Sequence, residues 1–327
     1  MKIAFIHNNE QREHALAHAF CAGAAKYGHR TQQIDKTAKL NTDADVVCMV
    51  GVKSAKLFTQ ARKQGKTVLF FDKGYFRHRS ETNRTWEFWR IAVNNHHPTD
   101  YIENAQHSSA RWDAISYHRG ASRKQWRTEG EHIMYLGSSA KYHAIAGLGD
   151  PNDTAALIVS QLRKLTDRPI YYRPKPSYDG ARPVEGAYFD QPQRIPIDHM
   201  LKNSWCAITH GSNACFEAVM NGIPCIVLHD AVARPISSRR LKDVSNPYLA
   251  SDAEVQQWLN NLAWCMFTEE EMLRGLAWEV LAMRFRSGVV DERKLSMTVG
   301  NISKSKTVVN KEERDKRRSV KRRGKKK

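Results

Sequence analysis

Apolar residues fall in short unbroken runs, separated by stretches with helical spacing. Lys2–Ile6, Val46–Val50 and Thr67–Phe71 are nearly continuous apolar runs, as expected of strands buried on both faces. Between them, Gln11–Tyr27 carries Ala15, Leu16, Ala19, Phe20 and Ala24 at helical spacing and stops at Gly28. Ser54–Gln64 is a second helix, stopped by Gly65, and Arg30–Ile34 is a weak strand. Such alternation predicts a parallel, doubly wound α/β sheet, whose ligands sit at the carboxyl ends of the strands. His7-Asn8-Asn9, Gly51-Val52-Lys53 and Asp72-Lys73-Gly74-Tyr75 lie at such ends.

A second series starts near His132. Ile133–Leu136 is a strand ending in Gly137-Ser138-Ser139, and Thr154–Leu165 is an amphipathic helix capped by Asp153 or Thr154. Pro169–Tyr172 is a strand that runs into Arg173-Pro174-Lys175-Pro176. Residues 177–197, rich in Pro, Gly and Tyr, read as a loop, and Asp198–Asn203 as a short helix. The buried strand Trp205–Thr209 then meets His210-Gly211-Ser212-Asn213, a turn with good N-cap residues, and a short helix that Gly222 stops. Ile223–Leu228 is the next strand; Val255–Phe267 and Glu269–Phe285 are helices. A strand, a tight turn and a helix with a small, polar N-terminus suit an anion, because free N–H groups and the helix dipole point at it.

The pattern divides the chain into a first α/β domain, 1–130, a second, 131–290, and a tail, 291–327. With 327 residues there is ample material for two cores. No apolar run is long enough to span a membrane, and the N-terminus reads as a strand, so the protein is expected in the cytoplasm. Six cysteines without a CxxC pair are expected to be buried, reduced thiols, with no metal–thiolate site. GxxxxGK[ST] does not occur, which argues against nucleotide hydrolysis of the P-loop type.

Charge changes the picture. The net charge is +18, and residues 304–327 carry 13 Lys or Arg against three acids, +10 of that total. The tail has no hydrophobic periodicity and is expected to be disordered until it meets a polyanion, nucleic acid or an anionic membrane surface. Residues 76–130 interrupt the strand–helix pattern and mix Arg77, Arg79 and Arg90 with Trp86, Trp89 and Tyr101. That mixture suits a surface that holds phosphates and stacks on bases, and equally an ordinary insertion with amphipathic side chains.

Tyr171-Tyr172-Arg173-Pro174-Lys175, together with Thr209-His210-Gly211-Ser212-Asn213, Glu217-Ala218 and Gly222-Ile223-Pro224, resembles elements of glycosyltransferases with two Rossmann-like domains facing a cleft, the GT-B type. The resemblance covers roughly 132–265 and is shared with sugar-nucleotide 2-epimerases and with capsule or teichoic-acid transferases. It implies a nucleotide-sugar co-substrate, a UDP-sugar foremost, and no other cofactor. Arg173 and Lys175 would neutralise the diphosphate. Ser138, Gly211, Ser212 and Asn213 would line the same group, His210 would touch phosphate or sugar, and Glu217 would accept from ribose hydroxyls. The alternatives are a satisfied core histidine at His210, a helix-surface charge at Glu217 and a loop cation at Lys175.

An inverting transfer needs a base, which this architecture draws from the first domain. Asp72 is the candidate, with Asp100 and His97 behind it; the alternative for Asp72 is a turn cap. No DxD pair follows a strand, so no metal is expected at the donor. Phe71–Tyr75 with Trp89–Asn94 is similar to segments of uncharacterised bacteriophage proteins, and some bacteriophages glycosylate hydroxymethylated pyrimidines in their own DNA with GT-B enzymes. From the charge, double-stranded DNA is the expected acceptor, held by Lys73, Arg77, Arg79, Arg90 and the tail. A cell-surface polysaccharide transferase and a non-catalytic nucleic-acid-binding protein are the competing expectations.

Overall fold

The computed structural model describes residues 1–8, 10–35, 40, 42–51, 55–76, 88–119, 121–190, 194–288 and 290–295. The first half runs β1 (Lys2–His7), α1 (Gln11–Ala25), β2 (Arg30–Asp35), β3 (Val46–Val50), α2 (Ala55–Lys63), β4 (Thr67–Lys73), β5 (Trp89–Val93), α3 (Thr99–Asn104) and α4 (Ala110–Arg119). The second runs β6 (His132–Leu136), α5 (Ala140–Ala146), α6 (Pro151–Leu162), β7 (Ile170–Arg173), β8 (Tyr188–Phe189), α7 (Ile197–Met200), β9 (Ser204–Thr209), α8 (Ala214–Met220) and β10 (Cys225–Val227). After α9 (Asp252–Ala263) come β11 (Met266–Phe267), α10 (Glu269–Arg274) and α11 (Leu276–Ser287).

The expected α/β architecture with two sheets is present, the second wholly parallel and the first parallel over β4, β3, β1 and β2. One sheet has the order β11-β5-β4-β3-β1-β2, the other β10-β9-β6-β7-β8. β3 is buried at all five positions, whereas β2, at the sheet's edge, is polar and mostly exposed. That contrast is the difference between a strand covered on both faces and one covered on neither. In the second sheet, β7 and β8 lie on one side of β6, and β9 and β10 on the other. The strand order therefore reverses between β6 and β9, the place at whose carboxyl ends such sheets take their ligands. Gly137-Ser138-Ser139 and His210–Asn213 border it.

Four features differ from the sequence expectation. β5 lies inside the stretch read as an irregular insertion and pairs antiparallel with β4. The end of the expected helix Val255–Phe267 is strand β11, which pairs antiparallel with β5. Residues of the expected second domain thus complete the first sheet: Met272, Leu276, Trp278 and Leu281 pack with Phe20 and Phe71 in one cluster. The loop expected at 177–197 holds β8, whose Tyr171–Tyr188 and Tyr172–Phe189 pairs seat it on β7. The helix expected from Thr154 begins at Pro151, capped by Asp150, whose side chain accepts from the N–H groups of Asn152 and Asp153.

The halves share a core. Tyr75, Phe76, Phe88, Ile102 and Trp112 from the first meet Phe216, Val219 and Trp258 from the second. All six cysteines are buried and free, as expected. Among the described residues no helix is long and apolar enough to cross a membrane. The tail from residue 296 lies outside the described residues, so the expectation of disorder there stands apart from the structure.

Candidate active site

The rims of the two sheets meet around Arg90. Register puts Arg90 on β5 directly opposite Asp72 on β4. The pair closes with Arg90 Nη2 to Asp72 Oδ2 at 3.0 Å, a cross-strand ion pair at the sheet's carboxyl end. Arg90 Nη1 also donates to the Tyr75 hydroxyl and, across to the second half, to Asn213 Oδ1 at 2.8 Å. The guanidinium lies 4.9 Å from the centre of the Tyr75 ring. A planar fork with several donors satisfies these partners at once, which an ammonium could not.

Two histidines follow β5. The Tyr75 hydroxyl is 2.7 Å from His97 Nδ1, and His97 Nε2 is 3.3 Å from the Gly211 carbonyl. A neutral ring that accepts from Tyr75 and donates to Gly211 meets both contacts. Burial, and then the positive charge of Arg90, push the pKa of both His96 and His97 well below the ordinary histidine value, so both are neutral. Burial pushes the Tyr75 phenol up, so it stays protonated. Asp72 keeps a 26% exposed side chain, lies 4.0 Å from His96 Nε2 and accepts its neighbour's N–H, from Lys73, at 2.8 Å. Lys175 is close enough for Asp72 to act on its charge: burial lowers the ammonium pKa, and Asp72 acts against that.

The structure brings Asp72, Gly211 and Asn213 together around Arg90 and His97, with the Lys175 charge in reach of Asp72, and separates them from other expected residues. Arg90, expected to touch DNA, has no exposed surface; a guanidinium enclosed by Asp72, Tyr75 and Asn213 is not open to a phosphate backbone. Arg173, expected at the donor diphosphate, is buried and holds Asp190, and it donates to the Ile195 carbonyl at 2.8 Å. Its charge is neutralised inside the protein, and its role is to pin the segment after β8. The side chain of Asn213 makes no capping bond to α8 because it serves Arg90 instead. The Ser212 hydroxyl accepts a long bond from Ala214 N–H at 3.4 Å.

His210 is buried, with Nδ1 3.3 Å from the Tyr135 hydroxyl. Burial first, then His143 and His229, lower its pKa to about 4. It sits as a neutral core histidine. Glu217 is half-buried on α8, and Lys73 is exposed at the end of β4. Ser138 is buried, and its hydroxyl has no partner among the described residues, so it can serve a ligand. Arg77 and Arg79 lie outside the described residues.

Tyr142, Asp230 and Asp190 were not found from sequence. Tyr142 rises from α5, with its hydroxyl 2.8 Å from the Asp230 carbonyl and 2.9 Å from His229 Nδ1. Its ring lies over the loop at Gly211, where a Cβ would come within 2.1 Å of the ring carbon Cζ. Asp230 accepts from the Thr99 hydroxyl, another bond between the halves, and burial pushes its carboxyl up. These contacts join residues far apart in sequence, and no local pattern signals them. A surface depression of about 500 Å³ lined by Ser238, Arg240, Asp243 and Tyr248 lies outside this cluster.

No family model matches the chain, and no curated protein matches it. Among solved structures, the β-Kdo 2,7 transferase of Thermosulfurimonas dismutans KpsC aligns with 85% of this chain and 99% of its own, at 9% identity and a TM-score of 0.47. The β-Kdo 2,4 transferase of the same KpsC aligns with 80% of this chain and 98% of its own, at 13% identity and a TM-score of 0.41. A co-structure of S. aureus MnaA with UDP aligns with 87% of this chain and 96% of its own, at 10% identity and a TM-score of 0.28. At such identities and scores these are resemblances, and the two-sheet fold rests on the chain's own topology.

Proposed function

We propose that the protein is a glycosyltransferase of the two-Rossmann-domain type, which moves a sugar from a nucleotide-sugar, foremost a UDP-sugar, to a hydroxyl group. The observation that supports this most is the meeting of Asp72, Arg90 and Asn213, from three separate stretches, where the two sheet rims touch, with the Lys175 charge within electrostatic reach of Asp72. One carboxylate between two cations, beside an amide and two neutral imidazoles, suits a transfer that releases a diphosphate. Asp72 takes the proton as the acceptor oxygen bonds to the anomeric carbon and the bond from that carbon to the diphosphate breaks. Lys175 neutralises the departing diphosphate, and the Ser138 hydroxyl donates to it. Arg90 orients Asp72 and joins it to the donor half. Glu217 is the candidate for the ribose hydroxyls.

The acceptor reading rests on charge. A net +18 suits a polyanion, and we take as acceptor double-stranded DNA bearing hydroxymethylated pyrimidines, such as bacteriophages make. Nucleotide binding tests the donor half of the proposal. Melting the protein with a panel of nucleoside diphosphates should single out one that raises the melting temperature. At a hundredfold excess over Kd the stabilisation is about 2.7 kcal/mol. Lys175→Ala should abolish the shift, and a panel with no stabilising nucleotide would remove the donor reading.

A further inference from the structure

The first sheet has its own reversal of strand order, between β1 and β3, and it carries a cluster the transfer chemistry does not use. His7 ends β1, Asp35 ends the adjacent parallel strand β2, and His14 stands in the opening turns of α1. His7↔Asp35 is the last pair of the β1–β2 register, so the sheet itself sets these two side by side. One ligand atom from each of the three residues lies within 4.8 Å of the others. The two imidazole rings are 4.1 Å apart between centres, and His7 Nδ1 is 3.8 Å from Asp35 Oδ1.

We propose that His7, His14 and Asp35 form a binding site for one first-row divalent transition metal ion of the Zn²⁺ class. Two imidazoles and a carboxylate are a donor set for such ions, whereas Mg²⁺ and Ca²⁺ favour oxygen ligands. In a tetrahedral site with bonds near 2.1 Å, ligand atoms stand about 3.4 Å apart, so closure asks for movements of about 1 Å. Asp35 is exposed and free to swing, while His7 is buried and fixed.

The surroundings of His7 also suit a ligand. Its Nδ1 is 3.0 Å from the Asn8 carbonyl. The same nitrogen lies 3.8 Å from Asp35, so a metal taken on Nδ1 replaces the bond to the Asn8 carbonyl and leaves the ring proton on Nε2. Asn8 is held in turn, its N–H donating to the buried Glu13 at 2.6 Å. Three protein ligands leave a fourth position for water, on the side where Asp35 meets solvent. The site lies on the same sheet rim as Asp72 with β3 between them, so it is separate from the donor crevice.

The test uses the full chain without an affinity tag, freed of metal with a chelator and titrated with Zn²⁺ in a calorimeter. In parallel, Co²⁺ is added and the visible ligand-field bands of a tetrahedral ion are recorded. One equivalent should bind, Mg²⁺ should not compete, and His14→Ala and Asp35→Asn should each weaken binding tenfold or more. Because His7 is in the core, these two variants carry the test, and their circular dichroism and metal-free melting should match the parent. Glu13→Gln, acting through Asn8, should weaken binding less. No binding of Zn²⁺ at micromolar concentration would overturn the proposal. So would stoichiometric binding that both variants leave unchanged.

Discussion

Arg90 Nη1 donates to Asn213 Oδ1 at 2.8 Å, joining a strand of the first sheet to the turn that opens α8 on the second. The same guanidinium holds Asp72 from its other nitrogen. One buried cation therefore fixes the candidate base and the loop that faces it.

Arg90→Lys keeps the charge and loses the fork. A lysine cannot serve Asp72, Tyr75 and Asn213 together, so Asp72 and Asn213 lose their common partner. The expected cost is about 3 kcal/mol of stability, the low end for a broken buried pair because Asp72 is partly open to water. Urea denaturation of the two proteins measures it, and an unchanged midpoint would remove Arg90 from this role.

Asp72→Asn separates binding from chemistry. The amide still accepts from Arg90 but does not take a proton. Transfer should slow by about 10²–10⁴-fold, while the nucleotide that raises the melting temperature of the parent still does so. Loss of both together would make Asp72 a residue of the fold rather than of the reaction.

Gly211→Ala probes the approach of Tyr142. A Cβ there would lie 2.1 Å from the ring carbon Cζ, so the ring or the loop must shift. The cost is about 1–3 kcal/mol. Tyr142→Ala in the same chain should recover part of it, and a double-mutant cycle reads the coupling directly. Additive losses would mean that the two residues do not touch in solution.

Acid should weaken the fold. His210 has a folded pKa of about 4 against an ordinary value near 6.5, and His96 and His97 are displaced the same way. Between those values the unfolded chain binds protons that the folded protein refuses. Stability from these rings is therefore complete above about pH 6.5 and falls below it; for His210 the loss runs down to about pH 4 and amounts to about 3 kcal/mol. Asp230, raised by burial, acts in the opposite sense: its contribution is present below its ordinary 3.8 and is lost as pH rises through its folded value. Urea midpoints at several pH values check the sign, and His210→Gln should flatten part of the slope.

How much of this was legible follows from the range of each interaction. β1, β3 and β4 are continuous apolar runs, so composition alone marks them as buried strands. Gly222 reads as a helix stop and has a φ of +74° just after α8. β5 was missed because Trp89-Arg90-Ile91-Ala92-Val93 carries a charge at its second place. That charge is tolerable inside only because Asp72 lies opposite, a fact of register that no local window holds. β11 has two residues and no period of its own, and only its pairing with β5 makes it a strand. Arg173 stood where a phosphate ligand is expected, and its partner Asp190 is 17 residues on, beyond a loop. His96, Tyr142 and Asp230 entered the site the same way, through contacts between distant segments.

The central claim is that sugar transfer takes place between Asp72 and the α8 turn. It is tested most directly by incubating the protein with hydroxymethylpyrimidine DNA and a panel of nucleotide-sugars, then measuring the nucleoside masses after digestion. The account predicts a gain of one glycosyl unit with a single donor class, and no gain with Asp72→Asn under the same conditions. Absence of any gain with the parent protein, or an equal gain with Asp72→Asn, would contradict it.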